Sequence, residues 1–217
     1  MLFVALLVLM VLGLAAIALF RSADTATLVA GNLAARQAAI AAADRGVETA
    51  IHALWGDEAP ITDHTQHDLA LNYYACVQGT TGNCIAPGSN IPAIPAALAS
   101  PAAFAAAGLN AALVSDDAAG NTIRYVIERM CLATGAAVGS NCNLAMMPEN
   151  AAGTQHYGDP SGPGDAFYRV TVMVTGPRNA VAHAQSMLQG HLVEHSIRPA
   201  NIGNRKHRVS WRLISTE

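Results

Sequence analysis

MLFVALLVLMVLGLAAIALF, residues 1–20, running on into RSADTATLVAGNLAARQAAIAAADRGVETAIHAL, residues 21–54, is the stretch on which the fold turns. The first part has no charge and no strong polar group. A run of about 20 such residues matches the length of helix that crosses a hydrocarbon core of about 30 Å. No proline appears before Pro60. Beyond Arg21 the chain turns polar, yet Leu33, Ile40, Val47 and Leu54 recur every seven residues, with Ile51 one turn before the last. Alanine, the residue of highest helix propensity, fills most other places. One continuous helix of roughly 54 residues follows, about 80 Å long at 1.5 Å per residue. Residues 1–20 suit lipid or a bundle of apolar helices. Residues 21–55 form an amphipathic stem with one face to bury, and Leu33, Ile40, Val47, Ile51 and Leu54 are expected on that face. Residues 56–217 make the head.

Two other readings of the stretch stay open. Ala16-Ile17-Ala18 has the form of a signal-peptide cleavage site. No basic segment precedes the apolar run, however, and the helical pattern passes through the supposed cut. The second is an ordinary membrane anchor on an unrelated soluble domain.

The combination of an apolar start, an unbroken amphipathic extension and a small head resembles the type IV pilins and pseudopilins, and more specifically the PilX family of minor pilins. The residues carrying the resemblance are LFVALLVLMVLGLAAIALFRSADT and AGNLAARQAAIAAADRGVETAI, then RYVIERMC, FYRVTVMVTGPRNAV and RVSWR in that order. The likeness implies an α+β, pilin-like fold, with a long N-terminal helix packed on a small antiparallel sheet. It implies a filament core built from Leu2, Phe3, Ala5, Leu6 and Leu9, with Gly13 as a place where the helix loosens. The expected partners are other pilins, the inner-membrane assembly machinery and, before assembly, membrane lipid. The family's associations are pilus assembly, cell adhesion, twitching motility and methylation.

One departure matters. Most pilins carry a glutamate at the fifth position of the mature chain, where it is thought to pair with the terminal amine of a neighbouring subunit. Here the position holds Ala5, and the first acidic residue is Asp24. A carboxylate in lipid is costly unless paired, so a subunit lacking one resembles those thought to start a filament. The family's basic leader ending in glycine does not precede Met1, so Met1 is expected to be the processed end or a truncation point.

Composition bounds the remainder. With the helix set aside, roughly 160 residues are left, enough for one domain with a modest core. The chain is 52% hydrophobic and 12% charged, with mean hydropathy +0.29. That charged share is about half the usual one, and it suits a chain that packs against copies or relatives of itself. A net charge of −3 argues against a general nucleic-acid partner.

The four cysteines, Cys76, Cys84, Cys131 and Cys142, allow three pairings. Local pairing, Cys76 with Cys84 and Cys131 with Cys142, is the simplest, because each short crosslink would pin a Gly/Ser/Thr/Asn-rich loop. Disulfides imply an oxidising compartment. A four-thiolate zinc site is the alternative, but its cysteine pairs are usually two to four residues apart.

Along the head, 55–68 reads as a polar linker and 69–77 as a short strand or packed loop. Residues 79–119, with Pro87, Pro92, Pro95 and Pro101, read as a long irregular excursion containing one helix near 101–109. NTIRYVIERMCL, residues 121–132, places Ile123, Tyr125 and Ile127 on one face of a strand. Residues 133–164 form a second loop, whose tail is expected to be the most mobile part of the head. AFYRVTVMVT (166–175) and AVAHAQSMLQGHL (180–192) read as a hairpin around Gly176-Pro177-Arg178-Asn179. A basic coil follows at 198–208, and 209–214 could close the sheet.

Candidates for chemistry are few. His191-Leu-Val-Glu194-His195 fits H-x-x-E-H, but on a strand its histidines would lie about 13 Å apart. His64 and His67 are expected in a solvated loop. Asp116-Asp117-Ala-Ala-Gly-Asn121 lacks the alternating ligands of a calcium loop and reads as a turn. Arg205-Lys206-His207-Arg208 is a weak basic patch on a solvated tail. No catalytic residue, metal or cofactor is expected. The reading is a structural subunit, a minor pilin acting in assembly or priming near the filament tip. The alternatives are a major subunit, or a membrane-anchored extracytoplasmic binding or adhesion module.

Overall fold

The computed structural model describes residues 2–55, 61–79, 83–110, 115–145, 165–177, 181–190 and 206–214. The chain divides into two units, Met1–Ala39 and Ile40–Glu217. One helix, α1 (Leu2–Trp55), contributes to both. Within the first unit it is regular throughout, and Thr25 and Thr27 return their hydroxyls to carbonyls of the preceding turn. None of that unit's described residues is buried.

The second unit is α+β, with the end of α1 packed on a mixed sheet. Its elements after the helix are a 3₁₀ turn at Leu69–Leu71, β1 (Tyr73–Tyr74), a second 3₁₀ turn at Ala96–Leu98 and α2 (Pro101–Ala106). Then come β2 (Ser115–Asp116), β3 (Thr122–Arg129), β4 (Leu144–Ala145), β5 (Asp165–Thr175), β6 (Val181–Gly190) and β7 (Lys206–Ile214). The main path runs β1-β3-β5-β6-β7, with β2 pairing β3 and β4 pairing β5. The four long strands are antiparallel. The expectation of a purely antiparallel sheet is corrected at one edge, where β1 runs parallel to β3. The cause is local: Asn72 adopts φ 57° after the 3₁₀ turn capped by Asp68. Its side chain helps hold the bend, Oδ1 accepting from Asn110 N–H at 2.7 Å.

Alternation and register sort the strand residues onto two faces. Ile123, Tyr125, Ile127 and Arg129 of β3 lie opposite Val174, Val172, Val170 and Tyr168 of β5, and the next column is Ala182, Ala184, Ser186 and Leu188 of β6. This face meets α1 through Ala42, Ala43, Gly46, Val47, Ala50, Ala53 and Leu54, the buried positions of the helix. The seven-residue expectation is therefore corrected. Val47 and Leu54 are in the core, Ile40 and Ile51 are half-buried, and Leu33 is 56% exposed. The sheet surface is bulky and β-branched, so the helix approaches with its small residues.

The other face is also covered. Val126 of β3 and Met173 of β5 pack with Tyr74, Ala97, Leu98, Phe104 and Leu109. The 94–109 part of the proline- and alanine-rich excursion thus forms a second layer over the sheet. α2 starts where Ser100 Oγ accepts from Ala103 N–H at 3.0 Å and Pro101 occupies the first turn, a regular N-terminal cap. Polar strand residues tie the layer down. Arg169 donates to Pro92 O at 2.8 Å, Gln185 to Ala93 O at 3.2 Å, and His183 Nε2 lies 3.0 Å from Leu98 O.

Two further expectations change. Lys206, His207 and Arg208 belong to β7 rather than a coil, because the backbone of β6 at Leu188–Gly190 takes them as partners. The second loop closes early, through an antiparallel bridge between Cys131 and Cys142. Residues 146–164, including the tail expected to be mobile, lie outside the described residues.

Candidate functional site

The apolar half of α1 is the first candidate surface. Leu2, Phe3, Leu6 and Leu9 are 82%, 77%, 61% and 71% exposed. Ala5 is exposed beside them, and a side chain at Gly13 would meet nothing within 4 Å. The helix is long and apolar enough to cross a membrane, and none of its most apolar window is buried. Each large aliphatic side chain left in water forgoes about 1.5–3 kcal/mol, so this surface suits an apolar environment, as a membrane anchor or a signal sequence would meet. Asp24 remains the first carboxylate along it.

The head is held by covalent and ionic ties. Cys76 bonds Cys84, and Cys131 bonds Cys142. The four-thiolate zinc arrangement is therefore not the one adopted. Loops of 8 and 11 residues each remove denatured-state entropy worth about 2–3 kcal/mol. Changing both members of either pair to serine is expected to lower the melting temperature by several degrees, measured by circular dichroism on the full chain in detergent.

Sequence reasoning missed the buried ions. Glu128 and Arg169 form a 2.6 Å pair whose side chains are 0% and 4% exposed. Arg169 Nε and Nη2 both donate to Glu128 Oε2, while Gln78 N–H donates to Oε1 at 2.9 Å. Burial pushes the carboxyl up, and the guanidinium and the Gln78 N–H pull it back. Next along β3, buried Arg129 donates to Ala75 O and Gly135 O. The available signal was charge inside otherwise apolar strands, Glu128 in RYVIERM and Arg169 in FYRVTV.

His64 was expected in a solvated loop and is instead buried. Its Nδ1 lies 3.1 Å from Tyr168 Oη, and its carbonyl accepts from Tyr73 OH at 2.7 Å. The ring meets Tyr73 and Tyr168 edge-on, and Trp55, the last residue of α1, meets Tyr168 likewise. A hydrophilic-looking loop is drawn inward because Tyr73 and Tyr168 need polar partners when buried. His67 does stay exposed, with Nδ1 accepting from Ala75 N–H at 3.0 Å.

Among the described residues, one group of potential metal ligands comes together. Ligand atoms of His67, Cys76 and Cys84 lie within 4.8 Å of one another, but both sulfurs are in a disulfide and the Nδ1 lone pair is engaged. Asp117 is a turn anchor, accepting from Ala119 N–H, Asn121 N–H and Asn121 Nδ2, and pairing with Arg45 of α1 at 2.6 Å. That pair is worth little, since the Arg45 side chain is 57% exposed. His191, Glu194, His195 and Arg205 lie outside the described residues.

The chain matches no protein-family model, no curated protein and no solved structure. The long apolar N-terminal helix followed by a small sheet is compatible with a pilin-like fold.

Proposed function

We propose that the chain is a structural subunit of a type IV pilus or related filament, a minor pilin of the PilX kind that acts in assembly or priming at or near the tip. The observation carrying this reading is α1 itself. Its apolar residues from Leu2 onward are uncovered, while the last turns of the same helix are packed on a sheet. One end calls for lipid or helices from elsewhere, and the other is built into a head.

The subunit waits in the inner membrane with its head on the extracytoplasmic side, a placement that two disulfides support. Assembly transfers the helix from lipid to a bundle of pilin helices, where close packing replaces lipid contact. Leu2, Phe3, Ala5, Leu6 and Leu9 make those contacts. Ala5, where most pilins carry a glutamate, supports a subunit of the priming kind. The head's role is structural, and the reading requires no catalytic residue or cofactor.

Immunogold electron microscopy of sheared filaments, with antibody against the head, tests this. Sparse or terminal label is expected, and deletion of residues 2–20 should abolish both label and membrane retention. Label along whole filaments would make the chain a major subunit. A full-length protein that stays in membranes, with filaments unlabelled, would make it an anchored binding module.

A further inference from the structure

We propose that the His64 cage is an acid-operated latch: protonation of the buried imidazole releases segment 61–68 from the end of α1 and from the sheet, while the core strands stay folded. The proposal concerns the head alone and does not depend on the filament reading.

Segment 61–68 is held at separate points on several elements. Ile61 N–H donates to Ala53 O of α1 at 2.9 Å. His64 is tied to Tyr73 of β1 and Tyr168 of β5. Thr65 O accepts from Gly135 N–H at 2.8 Å, and Gly135 O accepts from Arg129 Nη2. His64 sits at the centre, because Tyr168 also carries the edge contact with Trp55. Between these ties Thr62, Asp63, Gln66 and His67 are exposed, so the segment has little apolar burial of its own beyond Ile61. Segments of that kind open locally before a core does. β3 and β5, by contrast, are buried on both faces.

Burial of the ring sets the direction, and the charges around it act in opposite senses. Arg129 of β3 opposes a second positive charge, and Asp63 of the same segment favours one. Asp63 is already engaged by Thr65, whose N–H and hydroxyl donate to it at 2.8 and 2.6 Å. Among the described residues, Tyr73 and Tyr168 are the other titratable groups in contact, and burial pushes the Tyr73 phenol up, so it stays neutral. Burial first, then Arg129, lower the imidazole from 6.5 to about 4. The latched form thus binds fewer protons than the released form between those values. The latch weakens as pH falls through that window, and its strength is level above and below it. His67 is lowered by the same two causes and acts in the same direction, so it needs its own control.

The test uses the full chain in detergent micelles. Amide hydrogen exchange, corrected for intrinsic rates, is compared at pH 7 and pH 4.5, and the His64 ring is followed by NMR. Protection of 61–68 should fall roughly tenfold to a hundredfold while β5 and β6 keep theirs. His64→Gln should remove that dependence, and His67→Gln should retain most of it. Equal loss in His64→Gln, unchanged protection in the wild type, or simultaneous loss in the core strands would overturn the latch. Should His64→Gln fail to fold, the wild-type ring decides: titration below about pH 5 supports the proposal, and titration near 6.5 refutes it.

Discussion

Replacing Glu128 with alanine is expected to destabilise the head by about 3–5 kcal/mol. The carboxylate is fully buried and takes both Nε and Nη2 of Arg169 on one oxygen, and the Gln78 N–H on the other. Without it, a guanidinium that cannot lose its proton stays inside β5 with Pro92 O as its remaining hydrogen-bond partner among the described residues, and Gln78 loses its acceptor. Domains are commonly stable by only about 5–15 kcal/mol, so the single change removes a large part of the margin. The measurement is urea denaturation of the full chain in detergent, followed by circular dichroism. Changing Glu128 to leucine together with Arg169 to methionine is expected to recover most of the loss, since an apolar pair leaves no buried charge. A double variant as unstable as the single one would mean that the pair's hydrogen bonds to the overlying segment matter more than its charge.

Gly46→Leu is expected to loosen the stem from the sheet at a cost of about 3 kcal/mol, the upper end for an overfilled core. A Cβ at this position would lie 2.6 Å from Val172 Cγ1 and 2.9 Å from Ile123 Cγ2. Both neighbours are β-branched side chains on central strands, stiff at χ1, and cannot swing aside. Even alanine, which gains about 1 kcal/mol of helix propensity over glycine, must push the helix outward. Gly31→Leu is the contrast on the same helix, because nothing lies within 4 Å of its added carbon. Thermal unfolding of the two variants in detergent should separate them by several degrees, with Gly31→Leu at or above the parent. Equal melting temperatures would mean that the contact at Gly46 yields without cost.

α1 was legible in the sequence because its causes are local. No proline, abundant alanine and an uncharged first 20 residues specify a helix and its solvent without reference to the rest of the chain. The 166–175 strand was legible for a similar reason, because it is rich in β-branched and aromatic residues. The seven-residue spacing of Leu33, Ile40, Val47 and Leu54 located two of the helix's seven buried positions, Val47 and Leu54. It weighed side chains by size, whereas the sheet beneath, lined by Ile123, Val170, Val172 and Val174, accepts a helix through Ala42, Ala43, Gly46 and Ala50.

What the sequence by itself determined is therefore the long apolar helix, its passage into a stem, the main strands and the α+β class, each set by the chain's local chemistry. Only the tertiary structure decided that segment 92–109 covers the sheet's second face, that Glu128 meets Arg169, and that His64 lies inside an aromatic cage. These depend on residues 41 to 104 positions apart along the chain, brought together by strand register and by the need of buried polar groups for partners. No local pattern encodes such a distance.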